Sequence, residues 1–107
     1  MRAGRLRHLV DLERAARVDG DYGEPTALWT PYDQVHAAIE PLRGSEVLAA
    51  QQTQTKLTHK VTVRYNSSIE TQDRIKFGSR YLYINAIINI RERNIYLELM
   101  CTENAHG

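Results

Sequence analysis

The stretch Leu57-Thr58-His59-Lys60-Val61-Thr62-Val63-Arg64-Tyr65 decides the fold class. Leu57, His59, Val61, Val63 and Tyr65 alternate strictly with Thr58, Lys60, Thr62 and Arg64. Successive side chains of an extended chain point to opposite faces, so this period of two predicts a strand with one face buried and one in water. The same pattern recurs downstream. Arg74-Ile75-Lys76-Phe77 and Tyr81-Leu82-Tyr83-Ile84 flank Gly78-Ser79, which reads as a hairpin. Ile84 to Ile90 continues apolar, Arg91-Glu92-Arg93-Asn94 is a charged turn, and Ile95, Leu97, Leu99 and Cys101 alternate with Tyr96, Glu98 and Met100 in a last strand.

Upstream, Leu6, His8, Val10 and Leu12 share one face of a strand over Leu6 to Glu13, with Leu9 out of phase. Arg14 to Pro25 contains Asp19-Gly20 and Tyr22-Gly23 and reads as a long polar loop or splayed hairpin. A second strand begins near Trp29. Pro31 implies an edge or a bend there, and Val35, Ala37 and Ile39 form its apolar face as far as Pro41. Ser45 can cap a short helix, with Glu46 at its positive end, and that helix runs into the uncharged segment Gln51-Gln52-Thr53-Gln54-Thr55. With about six short strands and no βαβ spacing, residues 1–107 read as mainly β. The expected architecture is a single small β-barrel of antiparallel strands, with one short helix and two long loops, Arg14 to Thr30 and Arg43 to Thr55.

Composition supports one soluble domain. The chain has 107 residues, 42% hydrophobic and 25% charged, and its mean hydropathy is −0.49. No stretch approaches the roughly 20 apolar residues of a spanning helix, and no apolar region follows the basic start, so neither a membrane segment nor a secretory signal is expected. The lone Cys101 cannot form an intrachain disulfide and reads as a buried, inert thiol. The net charge of +1 conceals an uneven distribution. Residues 1–18 carry +3, residues 19–54 carry −5 and residues 55–107 carry +3. Opposed faces of this kind suit a subunit that meets its neighbours head-to-tail.

No catalytic constellation is present: no phosphate-cradling glycine motif, no G-x-S-x-G, no H-E-x-x-H and no C-x-x-C. His8 and His59 lie in phase with apolar residues, but no ligand spacing joins them to Cys101 as a metal site. Glu70 with Asp73, and Glu92 with Glu98, read as solvated charge. Lys60 and Arg64, with Arg74, Lys76 and Arg80 beside Phe77, Tyr81 and Tyr83, resemble the cation–aromatic pattern of an OB-like single-stranded nucleic-acid binder, the alternative reading.

The order of several motifs adds a family resemblance. They are Met1-Arg2-Ala3-Gly4-Arg5-Leu6-Arg7-His8, Asp19-Gly20-Asp21-Tyr22-Gly23 before Trp29, Arg43-Gly44-Ser45-Glu46, Thr58 to Tyr65, Asp73-Arg74-Ile75, Tyr81-Leu82-Tyr83-Ile84 and Leu97-Glu98-Leu99-Met100-Cys101. Across nearly the whole chain this resembles the head–tail joining (head-closure, or stopper) family of long-tailed bacteriophages and prophages. The resemblance implies a small β-barrel protein that is neither an enzyme nor a cofactor binder. It implies a ring of copies of itself, typically a dozen, between a portal-side adaptor and a tail-end connector or tail tube, at the head–tail junction of a virion assembled in the bacterial cytoplasm. Packaged DNA would pass nearby without sequence-specific binding, and no membrane is involved. On this resemblance Gln51, Gln52, Thr53, Gln54 and Thr55 are candidates for a channel-closing loop. Arg2, Arg5, Asp19, Asp21, Tyr22, Glu24, Trp29, Arg43 and Glu46 are candidates for contact with a neighbouring subunit or the adaptor.

Overall fold

The computed structural model describes residues 6–19, 25–42 and 57–103, with the backbone alone for 17–19 and 25–27. Six strands follow in chain order: β1 (His8–Asp19), β2 (Pro25–Pro41), β3 (His59–Arg64), β4 (Arg74–Phe77), β5 (Arg80–Asn89) and β6 (Tyr96–Glu103). All pairings are antiparallel, and the sheet closes into a barrel in the order β1-β2-β3-β6-β5-β4, with β4 pairing back onto β1. Closure leaves no open sheet edge around the core, which a chain this short could not otherwise cover. The predicted mainly-β barrel is the observed one. Among the described residues the only helical turn is a 3-10 turn at Ile90–Glu92. The helix expected after Ser45 lies outside the described residues.

Period two dictates the core. Val10 and Leu12 of β1, Ala37 of β2, Val61 and Val63 of β3, Ile75 of β4, Leu82 and Ile84 of β5, and Leu97, Leu99 and Cys101 of β6 point inward, and Ile69 closes one mouth. Burial pushes the Cys101 thiol up to about 12, so it packs as a small hydrophobe. The tight β4–β5 turn has Gly78 at φ +63, in the loop position where a type II′ turn needs positive φ. The apolar run of β5 is broken by a register shift between Ile84 and Ala86, which resets the alternation so that Ile87 faces the core and Ile88 faces out.

Two expectations change. Arg14 to Thr30 is not a loop at its ends. β1 runs on to Asp19 and β2 starts at Pro25, paired in register from Glu13↔Pro31 to Asp19↔Pro25. The splayed-hairpin alternative is therefore the correct one. Arg14 to Val18 finds continuous backbone partners in Thr26 to Thr30. Because β4 pairs with β1 only over Asp11–Glu13 and β3 pairs with β2 only over Ala37–Pro41, this hairpin leaves the barrel as a two-stranded ribbon. Pro31 sits at its root, where the shift between Leu12 and Glu13 makes Tyr32 the extra residue of a bulge. Second, His8 keeps the phase of Val10 and Leu12 but is exposed, its ring tilted against the core-packed Phe77 at 4.8 Å.

Leu99 is fully buried among these strands, whereas Leu28 on the ribbon is 58% exposed. Leu99→Ala should cost about 3 kcal/mol through lost burial and a residual cavity, lowering the thermal midpoint by more than about 10 °C for a domain of this size. Leu28→Ala should change the stability by no more than about 0.5 kcal/mol. Thermal unfolding followed by circular dichroism reads both.

Candidate interaction surface

The antiparallel order fixes which end of the barrel each connection leaves from. β1 ascends into the ribbon, so the ribbon, the 66–73 connection and the Ile90 turn all lie at one end. Leu42 and Leu57 lie at the other end, where the Leu42 N–H donates to the Thr58 carbonyl at 3.0 Å. The two long excursions of the chain thus begin at opposite ends of one small barrel.

Two arginine clusters hold the ribbon's root. Asp73, whose side chain is 0% exposed, accepts from Arg14 Nε at 2.9 Å and Nη2 at 3.0 Å. It also accepts from the Tyr32 hydroxyl at 2.6 Å and the Glu70 N–H at 2.9 Å. Arg14 donates further to the Ser68 carbonyl and lies over the Tyr32 ring at 4.4 Å. Burial alone would raise the Asp73 pKa, but the hydrogen bonds from Arg14, Tyr32 and Glu70 outweigh it and hold the carboxyl below its usual range. Burial, followed by the hydrogen bond to Asp73, pushes the Tyr32 phenol up. Asp73, expected as solvated charge, is therefore the most enclosed carboxylate among the described residues. Nothing local announced it, because Arg14 is 59 positions away. Glu70 does remain largely in water.

The second cluster centres on Arg74. Its Nε donates to Glu13 Oε1 at 2.6 Å, and its Nη1 to the Tyr83 hydroxyl at 3.2 Å. Its guanidinium carbon lies 4.3 Å from the Trp29 ring and 3.9 Å from the Tyr81 ring. Trp29 also meets Tyr83 edge-on at 5.8 Å. Trp29, expected at an intersubunit contact, thus packs back onto its own barrel and ties the ribbon to β4 and β5. Asp19 is placed by its backbone at the far end of β1, opposite Pro25. Arg2, Arg5, Asp21, Tyr22, Glu24, Arg43, Glu46 and Gln51 to Thr55 lie outside the described residues, so the structure brings none of them together.

The cations suggestive of nucleic acid are mostly engaged elsewhere. Arg74 is held as above, Arg80 pairs in bidentate fashion with Glu103 at 2.7 and 3.0 Å, and Lys60 lies 3.8 Å from Glu98. The Arg80 hydrogen bonds draw the Glu103 pKa down. Arg64 remains exposed. Burial lowers the His59 pKa, partly opposed by Glu103 at 3.8 Å.

The described residues form a closed barrel whose polar groups bind strand to strand and ribbon to barrel. The family model for phage head completion proteins matches residues 1–104, and the chain belongs to that family. Membership makes it a structural protein of the phage virion, of the head completion class. No curated protein matches the chain. Among solved structures, a Shigella flexneri 2a protein determined in solution shares 22% identity, with a TM-score of 0.78 and complete coverage of both chains. A chain of the virion of a native gene transfer agent particle shares 20% identity over 92% of this chain and 94% of its own, with a TM-score of 0.63. These two likenesses establish the shared barrel.

Asp73→Asn should destabilise the protein by about 2–3 kcal/mol at neutral pH, toward the low end for a broken pair because Arg14 stays partly solvated. The folded carboxyl titrates below its ordinary 3.8. Its contribution is therefore complete above that pH and is lost as pH falls through the folded value. The stability gap between parent and Asp73→Asn should close in acid. A gap unchanged between pH 7 and pH 3 would contradict the clamp. Tyr32→Phe should cost about 1.5 kcal/mol, the worth of one hydrogen bond to a charged acceptor.

Proposed function

We propose that this chain is a connector subunit of a ring set between the portal-side adaptor and the tail. There it closes the DNA exit channel after packaging and offers the tail a docking surface. The observation that carries this reading is the placement of the two long excursions at opposite ends of one rigid barrel. A subunit built this way can reach a partner above and another below while the barrels stand side by side. Membership of the phage head completion family supports it, as does the uneven charge along the chain. In this reading Gln51 to Thr55 form the channel-closing segment. Amide and hydroxyl side chains tolerate a wet pore, and the lack of cations avoids trapping DNA that must later leave.

The test is to inactivate the gene in the phage or prophage that carries it and image the particles by electron microscopy. Filled or leaking heads beside complete, separate tails are expected. Normal tailed particles would overturn the reading, and heads that never fill would move the protein to an earlier step. A second experiment removes Gln51 to Thr55. The variant should unfold at the parent's temperature, while particles carrying it lose packaged DNA to nuclease. Fully retained DNA would exclude this segment as the closure.

A further inference from the structure

We infer that a notch in the barrel wall above β4, between β1 and β5, takes an extended segment of a different virion protein as an added strand. The inference rests on the ring reading above and names the site that holds the protein stacked on the ribbon side.

The notch follows from unequal strand lengths. β4 has only four residues, and Arg74 at its start is in register with Glu13 on one side and Tyr83 on the other. Past Arg74 one more backbone hydrogen bond forms, from the Ile84 N–H to the Asp73 carbonyl at 3.2 Å. There the wall gives way to the 66–73 connection, whose Ile69 closes the mouth of the barrel. β1 and β5 both run on in the same direction, β1 through Arg14 to Asp19 and β5 through Ala86 to Asn89. Two strands that flank a third stand about 10 Å apart, which is the room one strand and its hydrogen bonds occupy. Among the described residues no backbone hydrogen bond reaches either edge across that gap. Arg14 and Tyr32, both bonded to Asp73, hold its base.

Unpaired edges are normally blunted by proline, charge or a bulge. The ribbon's other edge is treated in that way. β2 has no β3 partner before Ala37, and over that length it carries Pro25, Pro31 and the Tyr32 bulge. β1 keeps unbroken register from Glu13 to Asp19, with no proline and no bulge. Ala15 and Ala16 are exposed on its two faces, so an incoming strand can set large β-branched or aromatic side chains beside them. Leu28, 58% exposed and opposite Ala16, adds apolar surface to one face. Backbone N–H and carbonyl groups carry recognition of this kind, and it suits a proline-free extended segment of about six residues.

The occupant is another protein because of where this chain's own remaining segments begin. Leu6, Leu42, Leu57 and Glu103 lie at the opposite end of the barrel, so residues 1–5, 43–56 and 104–107 set out from there, and residues 20–24 join the ribbon's own strands. Copies standing the same way up in a ring send none of the first three out on the ribbon side. Pairing of one β1 edge with another is isologous and needs a two-fold axis, which such a ring lacks.

Hydrogen–deuterium exchange on the purified, unaltered chain and on particles of the phage that carries it reads the notch directly. In particles, residues 14–19 and 86–89 should exchange at least roughly tenfold more slowly than in the free chain, while the β2 edge over 28–34 exchanges as before. Protection of neither edge, of one edge only, or equally of the β2 edge overturns the added strand and leaves the structural role standing. If the chain is absent from particles, the proposed function falls as well. Photolysis of Ala16→Cys coupled to a maleimide–diazirine, added to heads and tails made without the chain, identifies the occupant. Cys101 is fully buried and is not labelled. Joined particles should yield this chain linked to one protein of another mass, through a proline-free segment. Products containing this chain alone, or no product, overturn the choice of occupant. Should the labelled chain fail to join, exchange on the unaltered chain decides.

Discussion

Closing six strands into a barrel obliges β1 to hold two partners at once, and on the β4 side that ladder spans only Asp11 to Glu13. So short a seam holds because charge reinforces it from both sides of the sheet. Glu13 and Arg74 are register partners that also meet side chain to side chain at 2.6 Å, and one residue further along Arg14 reaches the buried Asp73. A closed seam lets the apolar face of every strand converge on one core. If it opened, β1 and β4 would become free edges, and the inner face of both would be exposed to water.

The same seam turns a hairpin into an arm. Beyond Glu13 the pair β1–β2 has no further neighbour, and a lone two-stranded ribbon is marginal in water. Here its root is clamped from both faces. Arg14, Tyr32 and Asp73 join it to the 66–73 connection, while Trp29 stacks on Arg74 against Tyr81 and Tyr83. The ribbon therefore leaves the barrel in a set direction, as an assembly module needs. Arg74, Tyr81 and Tyr83, which look available for nucleic acid in the sequence, are held by this clamp.

Much of the fold was legible because period two is a local property. Val61 and Val63, Leu97 and Leu99, and the Gly78-Ser79 hairpin each follow from neighbours within a few positions. Pro31 correctly marked a bend, since a residue without an N–H cannot sit inside a continuous ladder. The ribbon was half legible. Arg14 to Thr30 carries turn residues in its middle, and nothing in Arg14-Ala15-Ala16-Arg17 distinguishes a paired strand from a loop until its partner is known. The candidate site was less legible. Trp29, expected to contact a neighbouring subunit or the adaptor, also packs on Arg74 and Tyr83 of its own chain, whereas Asp73 and Arg74 were passed over as surface charge or nucleic-acid ligands.

By itself the sequence determined the class of architecture, the identity of the inward-facing side chains, the tight turns and, through the order of its motifs, the family. These depend on alternation, on turn chemistry and on residue order, all written along the chain. Only the tertiary structure decided which carboxylates are buried, which cations are paired, and where β1 stops being barrel and becomes ribbon. Those outcomes depend on contacts between residues such as Arg14 and Asp73, 59 positions apart. Burial and electrostatics act through space, so the environment of a charged side chain is set by the strands that closure brings beside it.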